Sequence, residues 1–389
     1  MPVAVIAIGA AKAWDGLWSS VGMRDGFFGG DLLAYVAAAN RLVASGSPYS
    51  EELLAGRVGR ENIAIGYFYA PPLAQAFVPF RGLDPLSLAL GWSLAQVIVL
   101  GCLLVALSAV ARGRFDRSAA LAALALAVAS FPFEFAIFGG NVSGWIAAMV
   151  AVMLLGRTRP AGVAAAFAAV AKLTAGPLMV VGLFSAGSRR AVAVTALALV
   201  GVSVALSPAA WADWLSVLPN VAPPEPEGLA LGAILRRTPF TGLAVVVGYV
   251  VGLAFALAAI RRARRFGLDR PAVACAVGAY IFASPALWDH YLAALVPLMV
   301  ATWPNASRWQ RTAIIAGAVA QFLPWYWPPV RVLAGAELAG ALMVLLAAAH
   351  PGTHPQRDVE ESGPIAATEP VDRGQAPSAT VAQSSASGG

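Results

Sequence analysis

Long apolar runs separated by short gaps that carry arginine dominate this chain. Such runs are read as membrane-crossing helices, because backbone polar groups at that depth must be satisfied within the helix itself. Residues 3–18 predict a short first helix, and residues 86–111 predict a strong span closed by Arg112, Arg114 and Arg117. Residues 119–138 climb to a turn at Gly139, Gly140 and Asn141, and residues 142–155 descend to Arg157 and Arg159. Further spans are predicted over 191–206, 243–260, 271–286 and 292–303. A last hairpin turns at Trp325, Tyr326, Trp327, Pro328 and Pro329 and ends near Ala349. Arginine marks the cytoplasmic side, and its strongest cluster is Arg261, Arg262, Arg264 and Arg265. The alternation places the polar stretch 22–84 outside. The pattern predicts an all-α polytopic helical membrane protein with about twelve membrane-embedded segments.

Two stretches depart from simple spans. Between Arg159 and the pair Arg189/Arg190, both expected inside, only residues 160–188 are available. That is too short for two full spans of about 20 residues each. Two short or broken helices are therefore expected to meet near Lys172, Leu173, Thr174 and Ala175, interrupted by Gly176 and Pro177. In the outer stretch, Leu32, Tyr35, Val36, Ala39, Leu42 and Val43 recur at helical spacing and predict a helix over 32–45. Gly46, Ser47, Pro48 and Tyr49 then read as a turn. Tyr67, Phe68, Tyr69, Pro71 and Pro72 begin a second amphipathic piece, aromatic and proline-rich, of the kind that lies in the interface rather than across it.

Composition narrows the class. Only 12% of the residues are charged and mean hydropathy is +0.73, which leaves too little polar surface to wet a soluble domain of this size. The net charge of +6 comes from arginines in short loops and implies no nucleic-acid partner. Cys102 and Cys275 both fall in apolar segments, so neither a disulfide nor a metal site is expected. From Pro351 onward the chain is rich in Pro, Gly, Ser, Thr and Gln, with two arginines against five acidic residues. The domain reading is a membrane domain over 1–349 and a disordered cytoplasmic tail over 350–389.

The candidate chemistry gathers on the outer side. Asp31, Tyr69, Glu134, Asn141, Ser284, Asp289 and His290 belong there by topology, and Lys172 approaches from below. Asp31 precedes the predicted helix, so it reads either as an N-cap or as a carboxylate base at the membrane–water boundary. His290 lies between Asp289 and Tyr291 at a proline-bearing helix break, where it is able to donate to a phosphate. Lys172 is an intramembrane cation, costly unless it does something there or snorkels to an interface. Glu134 reads as paired with an arginine or interfacial. No GxxxxGK loop, no paired DxD and no zinc spacing occurs. The substrate is therefore not expected to be a soluble nucleotide held through a metal, and no cofactor is expected.

Several of these blocks, taken in order, are similar to those of a known family. Asp31 to Tyr35, Ala37-Ala38 and Gly46 to Tyr49 resemble the first outer loop of glycosyltransferase family 87, polyprenyl-phosphate-mannose-dependent mannosyltransferases of the GT-C superfamily. Tyr67 to Pro72 resembles its aromatic–proline segment, and Phe138 to Asn141 its glycine turn. Lys172 with Pro177 resembles its embedded lysine–proline segment, and Ser284, Pro285, Trp288, Asp289 and His290 its Ser-Pro and Trp-x-His block. Two departures stand out: Tyr291 replaces a second histidine, and Gly140-Asn141 replaces a glutamine-bearing turn.

The resemblance implies a GT-C-type fold whose outer catalytic loop covers about 22–84. It implies a plasma-membrane enzyme moving a hexose, usually mannose, from a polyprenyl-phosphate sugar donor to a lipid or glycan acceptor. Asp31 would be the general base, acting with inversion. His290 and Lys172 would receive the lipid phosphate, and Asn141, Tyr69, Asp289 and Trp288 would help hold donor and sugar. The main rival is a secondary transporter, which about twelve spans and broken helices also fit; a second is a catalytically dead lipid-binding or scaffold protein. Against the transporter stand the lack of an internal repeat and the long outer loop.

Overall fold

The computed structural model describes residues 28–56, 67–156, 158–221, 227–235, 238–284, 286–322 and 331–351, together with positions 7 and 11. The expected first helix, the hairpin turn at 325–329 and nearly all of the tail lie outside the described residues. The chain divides into a unit over Met1–Thr353 and a second over His354–Gly389.

The first unit is helical. α1 (Gly30–Ser45), α2 (Glu51–Leu54) and α3 (Pro71–Phe77) form the outer stretch. α4 (Pro85–Arg112) is followed by α5 (Arg117–Ala129), α6 (Phe131–Gly139), α7 (Ser143–Leu155), α8 (Arg159–Ala171) and α9 (Gly176–Phe184). Then come α10 (Arg189–Leu206), α11 (Pro208–Val221), α12 (Leu231–Ile234), α13 (Thr241–Phe266) and α14 (Arg270–Phe282). α15 (Leu295–Thr302), α16 (Arg308–Phe322) and α17 (Arg331–Ala349) close the unit. The only strands among the described residues, Glu227–Gly228 and Ala286–Leu287, make a two-residue parallel pair.

Among the described residues, α4, α10 and α13 are each long and apolar enough to cross a membrane. α5 and α6 would make a fourth span, bent by 63° at Ser130. The most apolar stretches of α4, α10 and α13 are only 28%, 11% and 22% buried, so most of their side chains point outward. Leu94, Ile98, Leu197, Val202, Val250 and Leu253 are among those exposed. In water such faces would be covered; in a bilayer they meet lipid tails, as befits a helical membrane protein. Among the described residues, Ser143–Leu155, Arg159–Ala171 and Arg270–Phe282 are apolar but shorter. α14, for example, has 13 residues and is buried along nearly its whole length.

Two cores result. The larger is built from small and aliphatic residues, such as Ala147, Ala151, Ala164, Ala165 and Leu178. Alanine and glycine let helices approach closely where lipid offers no hydrophobic drive to associate. The smaller core joins the outer stretch to α11, and its centre is aromatic: Tyr35, Tyr49, Tyr67 and Phe77 from the stretch and Trp214 from α11, with Leu32 and Leu42. The broken pair expected around Lys172 is present. α8 ends at Ala171, residues Leu173–Ala175 form a single 3₁₀ turn, and α9 restarts with Pro177 in its first turn. Proline is tolerated there because the first-turn N–H has no helical partner.

Candidate functional site

Asp31 does not cap its helix. α1 starts at Gly30, and Gly29, with φ +74°, is the cap residue and makes no side-chain cap bond. The N-cap reading is thus corrected: the carboxylate lies inside the first turn and is taken up elsewhere. Gly29 N–H donates to the Phe138 carbonyl at 2.7 Å, which ties the start of α1 to the end of α6. Gly140 makes this junction possible, with φ +67° and a Cβ that would lie 2.7 Å from the Leu32 Cβ. A side chain there would be strained by its backbone and would also collide with α1.

The junction brings Asp31 against Asn141, whose Nδ2 donates to Asp31 Oδ2 at 2.8 Å. The amide is oriented by its other contacts. Asn141 Oδ1 accepts from the Ser143 N–H at 2.8 Å, and its carbonyl accepts from Gln96 Nε2 at 3.2 Å. The amide NH₂ therefore has to face the carboxylate. Burial holds the Asp31 carboxyl above the usual carboxylate range, while the Asn141 hydrogen bond and the charge of Lys172 pull it back down.

Lys172 sits at the break between α8 and α9 with extended backbone, φ −148° and ψ 110°, and is 5% exposed. The snorkelling reading does not describe it. Its Nζ donates to Ser143 Oγ at 3.0 Å and lies 3.3 Å from His290 Nε2. It also sits 3.7 Å from the centroid of the Tyr291 ring. An ammonium has no lone pair, so His290 Nε2 must accept and the imidazole proton must be on Nδ1. Among the described residues, Nδ1 is buried without a hydrogen-bond partner. The imidazole is clamped by Phe135, stacked at 5.9 Å and 13°, and by Tyr291 at 5.1 Å.

Tyr69 completes the outer rim. Its hydroxyl accepts from the Tyr35 hydroxyl at 3.2 Å, and its carbonyl accepts from the Tyr49 hydroxyl at 2.9 Å. The Tyr35 oxygen in turn accepts from the Val142 N–H at 3.4 Å. Burial and the nearby negative charge of Asp31 push the Tyr69 phenol upward, so it stays a neutral hydroxyl.

Asp31, Tyr69, Asn141, Lys172 and His290 thus form one connected cluster drawn from four distant stretches of chain. Trp288 and Asp289 stand apart. The Trp288 ring is 38% exposed, and the Asp289 carboxyl faces that of Glu337 on α17. Both Glu337 oxygens and Asp289 Oδ1 are buried without a well-formed hydrogen bond among the described residues. Glu134 is buried in α6. Sequence reading missed Ser143, Gln96, Tyr35 and Glu337. A signal existed for Gln96 and Glu337, each a lone polar side chain in an apolar run. None existed for Ser143. Among the described residues, no group of three or more His, Cys, Asp or Glu side chains is arranged to hold a metal ion.

Comparison with known proteins supplies the class. The family model of glycosyltransferase family 87 matches residues 67–285, more than half of the chain. The chain belongs to glycosyltransferase family 87. It is accordingly a membrane glycosyltransferase, acting on a donor and an acceptor. No curated protein and no solved structure is found similar to it. The matched stretch contains Tyr69, Asn141 and Lys172; Asp31 and His290 fall outside it, and their place in the site rests on the geometry above.

Proposed function

We propose that this protein transfers a hexose, mannose in the first instance, from a polyprenyl-phosphate carrier to a hydroxyl of a lipid or glycan acceptor. The reaction takes place on the outer face of the plasma membrane. Residues 1–349 form the catalytic membrane domain of about twelve embedded segments, with a catalytic loop over about 22–84 and a cytoplasmic tail over 350–389.

One observation carries this reading. A single hydrogen-bonded path runs from a carboxylate, Asp31, through Asn141 and Ser143 to a buried lysine, and on to a histidine with a free donor. Glycosyl transfer with inversion needs opposite functions at its two ends. Asp31 takes the proton from the acceptor hydroxyl as its oxygen attacks the anomeric carbon. The bond from that carbon to the phosphate oxygen breaks, and the electron pair leaves with the phosphate. Lys172 and the Nδ1–H of His290 meet that growing negative charge. Asn141 holds the base in place, and Tyr69 offers a neutral hydroxyl to the sugar.

The carrier's hydrocarbon tail needs an apolar berth. A cavity of about 500 Å³ opens between α4, α5, α15 and α16, lined by residues such as Leu126, Met299, Val300, Ile314 and Phe322. Ser130, at its lining, immediately precedes α6, the helix that carries Phe135 and leads to Asn141.

The test is to incubate purified protein with radiolabelled polyprenyl-phosphate sugars and membrane lipids. The expected result is a labelled product from the mannose carrier that disappears in Asp31→Asn. Full activity in that variant would remove the base, and label delivered only from another sugar would replace mannose.

A further inference from the structure

Lys172 is held on three sides, which matches the three N–H donors of an ammonium. Two of the sides are lone-pair acceptors, Ser143 Oγ at 3.0 Å and His290 Nε2 at 3.3 Å. The third is the face of the Tyr291 ring, 3.7 Å from Nζ to centroid. That ring is fixed. Tyr280 lies parallel behind it, with centroids 5.2 Å apart and planes 13° off. Tyr291 is 6% exposed and Tyr280 1%.

We propose that Tyr291 is a positioning residue: its ring keeps Lys172 cationic and aimed at the departing phosphate, with Tyr280 as the backing that stops the ring from turning. This rests on the reading of the cluster as a glycosyl-transfer site. The choice of an aromatic face has a physical reason. A buried ammonium needs a counterpart, since burial favours its neutral form. Asp31 acts on that charge only through space; a carboxylate directly against Nζ would cancel the charge that the leaving phosphate needs. The π-face attracts the cation through its quadrupole and carries no net charge of its own. The lysine thus stays charged and its field stays available to the phosphate. What matters is the ring and not the phenol oxygen, which points away towards Thr174 and Ser284.

The experiment compares Y291F, Y291L and Y291H in purified full-length protein, with radiolabelled polyprenyl-phosphate mannose and extracted membrane lipids. Y291F keeps the ring and is expected to hold kcat within about threefold. Y291L loses it and is expected to lower kcat by about tenfold or more with donor KM little changed, the scale of a desolvated cation–π contact. Y291H adds a group that becomes cationic as pH falls, so its acid limb is expected to lie at higher pH than that of wild type. Equal rates for Y291L and wild type overturn the proposal, and so does a loss in Y291F as large as in Y291L.

A second readout does not depend on turnover. Lys172 is one of two lysines in the chain, so its acylation by a small membrane-permeant amine reagent is easily followed by peptide mass. Y291L is expected to speed that acylation, because only the neutral amine reacts, and Y291F to leave it unchanged. No acceleration in Y291L overturns the proposal. If wild-type protein gives no labelled product but the acylation pattern appears, the donor assignment has failed and the role of Tyr291 stands.

Discussion

The aromatic core of the outer stretch and the alanine-rich core of the helical body solve different problems. In the body, Ala147, Ala151, Ala164 and Ala165 bring helices close and leave few polar atoms to satisfy. In the outer stretch, tyrosines bury large rings yet pass hydroxyl hydrogen bonds along: Tyr67 donates to the Ala70 carbonyl at 2.7 Å and accepts from the Ala74 N–H at 2.8 Å. The aromatic module therefore presents polar groups at a chosen place, while the body places a single cation deep inside a helix break. The candidate site is the seam between them. The acid comes from one side and the lysine with its histidine from the other, so neither side alone holds the candidate site.

That division is open to attack from both sides. The largest effect is expected from Asp31→Asn, which removes the proposed base from the outer module; a loss of about 10³-fold in kcat with unchanged thermal stability is the outcome sought. Next comes Lys172→Met on the body side. It should lower kcat by about 10²-fold, and measuring it alongside donor binding separates a charge acting on the leaving group from one acting on ground-state affinity. Third is the junction itself. Gly140→Ala should cost about 1–3 kcal/mol of stability, from forced left-handed backbone and the contact with Leu32, as read by thermal unfolding in detergent.

The pH profile sharpens the comparison further. A base must be ionised, so activity should rise with pH through the titration of Asp31, which burial places above an ordinary aspartate. The Asn141 hydrogen bond favours the charged form, so Asn141→Ala should move the acid limb to still higher pH. A limb that stays put or moves down would mean that another group controls the rate. Smallest is Tyr35→Phe. It removes the hydroxyl link between Tyr69 and the Val142 N–H, at a cost of about 1 kcal/mol in stability and a modest loss of rate.

Much of the site is legible in the chain because its residues break local rules. A lysine among alanines, and too few residues between two arginine clusters, point to the interruption at Lys172. The ordered motifs point to the family. Asp31 is visible as a carboxylate at the head of an amphipathic run, but its local role is not: a helix start adjacent in sequence suggests a cap, whereas Asn141, 110 residues away, takes the carboxylate. Ser143 leaves no trace, because a serine at the start of an apolar helix looks like any other. The number of spans is hardest to read. Hydropathy marks what is greasy, and α14 is as greasy as a span, yet at 13 residues it is packed inside the body.

The glycine at position 140 sets the gauge of the whole arrangement. The start of α1 and the turn after α6 are registered against each other across a gap that would not admit one methyl group. Drift that a flexible tether would absorb is here blocked by bare backbone. A different acceptor can be met by changes at the rim, but the approach of Asp31 to Asn141 is set by an atom that is not there.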